Sequence, residues 1–207
     1  MDDFIEETFI LSVPTSTFVT SATDVIAGDL NGAAPDIFGD EREVTIDVSA
    51  SGGTATVALL PPGGLLSFDT GSTVTAPPGA NLEIVYDDFM DVDVTSGSLF
   101  SAIAFEFIFV DESGDVTVTF DDGSASGSVS GSVSDAGGSG PQSLILSLST
   151  PSLAGVDLTS VDSITVDIVT TAPAADFAID TIQFIVPEPS TALFLIGAAT
   201  LASLRRR

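Results

Sequence analysis

The chain has 207 residues and lacks cysteine, histidine, tryptophan and lysine altogether. Each absence closes off a chemistry. Without cysteine there is no disulfide, no thiolate zinc site and no thiol nucleophile. Without histidine the usual general base and the commonest transition-metal ligand are gone. Without lysine, Schiff-base and Ser–Lys catalysis are excluded. Only carboxylate chemistry survives: acid pairs of the glycosidase kind, or hard-cation binding through oxygen. A single tyrosine, Tyr86, and no tryptophan leave little aromatic platform for a sugar-cleaving site. No enzyme is expected.

Positive charge is nearly absent too. The cations are Arg42 and the terminal Arg205, Arg206 and Arg207, against 30 carboxylates, for a net charge of −26. Such a surface repels polyanions, which excludes nucleic acid as a partner. At 44% hydrophobic residues the chain still has the material for a core, unlike disordered acidic tails.

What is present is strand pattern punctuated by turns. Val44, Ile46 and Val48 alternate with Thr45 and Asp47; Val116, Val118 and Phe120 alternate with Thr117 and Thr119. Phe105, Phe107 and Phe109 occupy alternate positions and are expected in the core. Clusters such as Pro61-Pro62-Gly63-Gly64, Pro77-Pro78-Gly79 and Asp122-Gly123 mark turns. About a dozen strands are expected, among them 8–13, 17–22, 42–50, 54–60, 65–69 and 80–87. The others are 90–95, 99–110, 115–121, 143–149, 163–170 and 176–186. With no convincing helix before residue 187, the fold class is all-β: a two-sheet antiparallel sandwich, jelly-roll-like, over residues 1–186. Residues 124–140, SASGSVSGSVSDAGGSG, are low in complexity and read as a thin edge strand followed by a loop. The 46 residues after them are too few for a second sandwich and are expected to complete the first one.

The end of the chain is different in kind. Pro187-Glu188-Pro189-Ser190 opens an uncharged run, Ser190 to Leu204, closed by the three arginines. As a helix this run spans roughly 22 Å, short of the ~30 Å hydrocarbon core of a bilayer. It suits a transient hold better than a permanent anchor, with the arginines kept on the cytoplasmic side. A plain anchor or a buried helix is the competing reading, but three terminal arginines would not end inside a globule. Residues 186–207 resemble the PEP-CTERM sorting signal of Gram-negative bacterial surface proteins in the triplet, the small-residue run with Gly197-Ala198-Ala199, and the basic end. The resemblance implies recognition by an exosortase, an integral-membrane Cys protease-transpeptidase, with processing near the triplet. It also implies export, passage through the inner membrane by way of segment 190–204, and a place at the cell surface or in the matrix. Met1 to Glu7 has neither the cationic start nor the apolar stretch of a signal peptide. The true start is therefore expected upstream.

Candidate sites are few. Arg42, alone among so many carboxylates, is expected in a structural ion pair; an anionic-ligand clamp is the alternative. The segments 36–48, 156–166 and 177–184 also resemble the opening and closing strands of PEP-CTERM ectodomains and carbohydrate-binding-module-like jelly rolls. That resemblance implies that Asp180 helps to ligate a structural calcium; the amino-terminal acids Asp2, Asp3, Glu6 and Glu7 are the expected source of further oxygens, and otherwise Asp180 is an outward strand carboxylate. Asp87, Asp88, Asp91 and Asp93 form the densest acid cluster but lack the glycine and closing glutamate of an EF-hand. The acids around Gly114 and Gly123 read as solvated hairpin tips. A polysaccharide partner, such as exopolysaccharide, would dock through a groove of acids, amides and Tyr86.

Overall fold

The computed structural model describes residues 10–14, 20–27, 41–48, 54–60, 65–69, 80–87, 91–97, 99–134, 140–170 and 175–186. Among these, twelve strands form two antiparallel sheets of six strands each. The strands are β1 (Ile10–Pro14), β2 (Thr20–Ala27), β3 (Glu41–Val48), β4 (Thr54–Leu60), β5 (Leu65–Asp69) and β6 (Ala80–Tyr86). They continue as β7 (Ala102–Val110), β8 (Gly114–Asp121), β9 (Ser126–Val133), β10 (Gln142–Ser147), β11 (Ser163–Thr170) and β12 (Asp176–Ile185). One sheet runs β1-β4-β5-β12-β7-β10, the other β2-β3-β6-β11-β8-β9. The last two strands thus lie inside the sheets, between strands laid down much earlier in the chain. The apolar helix expected at 190–204 lies outside the described residues, and among those described no helix is long and apolar enough to cross a membrane.

Alternation in sequence becomes alternation in burial. In β11 Ile164, Val166, Ile168 and Thr170 are buried, while Ser163, Thr165, Asp167 and Val169 face outward. β8 places Val116, Val118 and Phe120 in the same core. Phenylalanines pack both within one sheet and between the two layers. Phe68 and Phe177, register partners on β5 and β12, have ring centroids 4.8 Å apart. Phe107 meets Phe177 edge-on at 6.2 Å, and Phe120 of one sheet meets Phe184 of the other at 6.3 Å. Burying a side chain of this size contributes about 1.5–3 kcal/mol.

The Ser/Gly segment has a strict strand logic. In β9, Ser126, Ser128, Ser130 and Ser132 face out, while Gly127, Val129, Gly131 and Val133 face in. The glycines are there because the sandwich closes tightly at this edge. A Cβ on Gly127 would stand 2.5 Å from the Ser152 carbonyl oxygen, and one on Gly131 would stand 2.7 Å from Leu146 Cδ2.

Two sequence expectations are corrected. Of the stretch 90–95, the described residues 91–95 are not a strand: among them only Val92 makes an isolated bridge, to Val161. Asp91 adopts φ 54°, and the Asp93 carboxylate takes the Thr95 and Gly97 amides at 2.8 Å each, which turns the chain. Phe109 is not in the core. Phe105 and Phe107 are buried, but the buried parity then shifts to Val110, leaving Ile108 and Phe109 outside at 45% and 36% exposure. The cause is a pair of register shifts between β7 and β12, which skip Ile108 on one strand and Asp180 on the other.

Candidate functional site

Three features of the fold bear on function: the point where the tail leaves, the bulged outer face, and the loop-bearing end. The tail leaves from β12. Ile185 pairs with Ala102, and its carbonyl oxygen accepts the Ser101 amide at 3.1 Å. Val186 follows, 55% exposed, and the next residue is Pro187. One residue therefore separates the last strand from the Pro-Glu-Pro triplet. Pro187, Glu188, Pro189, Ser190 and Arg205 to Arg207 lie outside the described residues, as does Asp3.

The register shifts shape the outer face of the first sheet. Between inward-facing Phe107 and Val110 both Ile108 and Phe109 face out; between inward-facing Ile179 and Ile182 both Asp180 and Thr181 do. A regular strand pair would present half as many side chains there. Thr181 is opposite Glu106, whose carboxylate accepts the Ser143 hydroxyl; Gln183 is opposite Ala104, which is opposite Ile145. Ala102, Ala104 and Ala178 keep the floor of this face low, so hydroxyls, an amide and two carboxylates stand around an apolar patch. The Thr181 hydroxyl donates to Asp180 at 3.3 Å. Asp180 is a half-buried outward carboxylate. Among the described residues no three acids converge as a metal site. A bulge leaves no mark on the alternation of a single strand, so Ile108, Phe109 and Thr181 were not legible as neighbours of Asp180.

The outer face of the second sheet is mostly polar among the described residues, with Val85 and Val169 as apolar members. Asp167 of β11 is directly opposite Glu83 of β6 and Thr117 of β8. Two like charges in register cost about 0.2–1 kcal/mol. They lie side by side on an open sheet, not across a cleft. Near the β9 edge an open depression of about 440 Å³ is lined by Asp115, Thr117, Ser130, Gly131 and Ser132, with the Ser132 hydroxyl donating to Asp115 at 2.7 Å. Arg42 lies in β3, opposite Ile26 and Tyr86; its side chain is outside the described residues. Tyr86 is completely buried, which corrects its expected place in a ligand groove: its parity on β6 puts it on the core side with Leu82 and Ile84.

At the end where the tail leaves, acids tie loops together and are not merely solvated tips. Asp122 Oδ1 accepts the amides of Ser124 (2.9 Å) and Ala125 (2.7 Å) and the Ser124 hydroxyl (2.7 Å). Its Oδ2 accepts the Asp157 amide at 2.7 Å, joining the β8–β9 turn to the 148–162 segment. These donors, the Asp157 amide first and the Ser124 hydroxyl next, hold the Asp122 carboxyl far below the usual carboxylate range. Asp93 is lowered likewise, chiefly by the Thr95 hydroxyl and then by the Gly97 amide. Asp157 repeats the device with Thr159, and Asp91 accepts the Ser160 hydroxyl. The result is a loop end whose segments are tied to one another by carboxylate hydrogen bonds.

Comparison with known proteins adds one firm finding. The family model for the PEP-CTERM protein-sorting motif matches residues 186–207, and the chain carries that motif. No curated protein sequence matches the chain. Among solved structures, a family 11 carbohydrate-binding module from Clostridium thermocellum, in complex with a β-1,3-1,4-mixed-linked tetrasaccharide, is 15% identical. That match covers 89% of this chain and 93% of the module, with a TM-score of 0.41. A carbohydrate-binding module specific for non-crystalline cellulose is 8% identical over 63% of this chain and 79% of its own, with a TM-score of 0.44. An exo-β-agarase is 13% identical over 87% of this chain and 23% of its own, with a TM-score of 0.43. With every score below 0.5, the ligands and chemistry in those descriptions stay with those proteins.

Proposed function

We propose that this chain is an exported protein of the cell envelope or extracellular matrix, sorted through its tail by an exosortase and without catalysis of its own. The observation that carries the reading is the PEP-CTERM motif, which begins where the last strand ends. In this reading residues 190–204 cross the inner membrane as a helix for as long as processing takes, with Arg205 to Arg207 on the cytoplasmic side. The body contributes hydroxyls and carboxylates, many already committed to holding its own loops, and the composition offers no histidine to serve as a general base. Fractionation of the native host with intact-mass measurement tests the proposal. A mature species truncated near the triplet and found in the envelope or medium is expected; full-length protein in the cytosol would overturn it.

A second reading is favoured by the bulged face. Phe109, Ile108, Thr181, Gln183 and Glu106 around a floor of alanines form a surface on which a polysaccharide can lie, with apolar contact and hydrogen bonds side by side. Retardation in an affinity gel of native exopolysaccharide, lost in Phe109→Ala and Gln183→Ala, supports it; no retardation of the unaltered protein rejects it. A calcium at Asp180 would draw its remaining oxygens from the amino-terminal segment, Asp3 included, because calcium takes six to eight. A calcium-dependent gain in melting temperature that survives Asp180→Asn would dismiss that site.

A further inference from the structure

We infer that the end of the sandwich bearing Leu99, the β8–β9 turn and the 148–162 segment is the surface that faces the membrane while the tail is intact. This rests on the sorting reading above, because it requires a tail seated in a bilayer. The direction comes from the fold. β12 starts at Asp176, whose carbonyl accepts the Asp111 amide at one end of the sandwich, and finishes at Ile185 beside Ser101 and Ala102 at the other. The 91–101 segment crosses that second end, bonded to the 158–161 stretch through Val92, Val94, Leu158 and Val161. β12 is an inner strand, flanked by β5 and β7, so the tail emerges from within this end and not from its rim.

The reach is short. Three residues, Pro187 to Pro189, separate Val186 from Ser190, where the uncharged run starts, which makes four steps along the chain. Fully extended they span no more than about 15 Å. The headgroup layer takes up roughly 5–8 Å of that on each side of the hydrocarbon. The loop end is therefore held within ~10 Å of the lipid headgroups, close to the Debye length of about 8 Å at physiological ionic strength. Two exposed apolar side chains, Leu99 (65% exposed) and Val186, stand at this end. Carboxylates stand at both ends: Asp91, Asp122 and Asp157 near the tail, Asp111, Glu112 and Asp176 away from it. Charge thus does not choose the end; the tail does. What charge sets is the spacing, since anionic headgroups repel these acids and hold the body off the surface. The far end is then presented outward, and both outer sheet faces are left uncovered.

The absence of cysteine makes a direct test possible. Ser126 and Ser134 are exposed at the two ends of β9, roughly 27 Å apart for eight residues of strand. Full-length Ser126→Cys and Ser134→Cys proteins, each carrying one fluorophore, are reconstituted into vesicles with acceptor-labelled headgroups. Energy transfer severalfold more efficient from position 126 than from position 134 is expected; equal transfer or the reverse order overturns the orientation. In anionic vesicles transfer from position 126 should rise between about 0.01 M and about 1 M salt, as the screening length falls from ~30 Å to ~3 Å. No change there overturns the stand-off. Failure of the protein to float with the vesicles overturns the sorting reading and this inference with it.

Discussion

The carboxylate of Asp122 takes four hydrogen bonds between 2.7 and 2.9 Å, and what those donors stabilise is its ionised form. Its pKa in the fold lies far below the ~3.9 of an unfolded chain. A depressed folded pKa means that the stabilisation is fully present above pH ~4 and fades as pH falls from there toward the folded value. Asp93 acts with the same sign. Asp122→Ala should therefore lower the melting temperature at neutral pH, and the gap to the unaltered protein should narrow steadily below pH ~4. A gap that stays constant across an acid titration would show that the loop contact matters by packing alone. The acid-x-hydroxyl spacing of Asp93 and Thr95, Asp122 and Ser124, and Asp157 and Thr159 was there to be read as turn-forming chemistry. Partners distant in sequence were not: nothing near Asp122 announces the Asp157 amide.

Single elements show where alternation suffices and where it misleads. β7 and β12 each alternate cleanly in sequence, yet the paired register shifts turn the end of β7 over, so that Phe107 is core and Phe109 is surface. Phe107→Ala should cost about 3–5 kcal/mol by denaturant unfolding, as a buried aromatic does. Phe109→Ala should stay within about 0.5 kcal/mol, as a surface substitution does. Comparable losses at the two positions would reject the bulged register. β9 makes the complementary case. Its composition looks featureless, but its inward glycines are steric requirements of the β10 and Pro151–Leu153 neighbours. Gly131→Val should overpack the Leu144 and Leu146 contacts and destabilise by about 1–3 kcal/mol. Ser130→Val on the outer side of the same strand serves as the control and should not.

For the molecule as a whole the dominant quantity is a net charge of −26. Self-repulsion of this size destabilises the compact state and is relieved by screening. The melting temperature should rise with sodium chloride, and more steeply per ion with calcium; a flat response to both would mean that the carboxylates are too dispersed to repel. The same charge opposes close approach of the body to anionic surfaces.

Local sequence alone determined that the described residues up to 186 build strands and no α-helix. Period-two alternation and the Pro/Gly turns settle that within a few residues of chain. Sequence alone also revealed the sorting motif, whose triplet, uncharged run and basic end are contiguous and need no fold to be recognised. Tertiary structure decided the rest: that Tyr86 is core, that Phe109 is surface, that Asp180 stands beside Thr181 on a bulged face, and which end of the sandwich releases the tail. Each depends on register between strands far apart in the chain, and a one-residue shift there moves side chains from one face to the other without changing a letter of the local pattern.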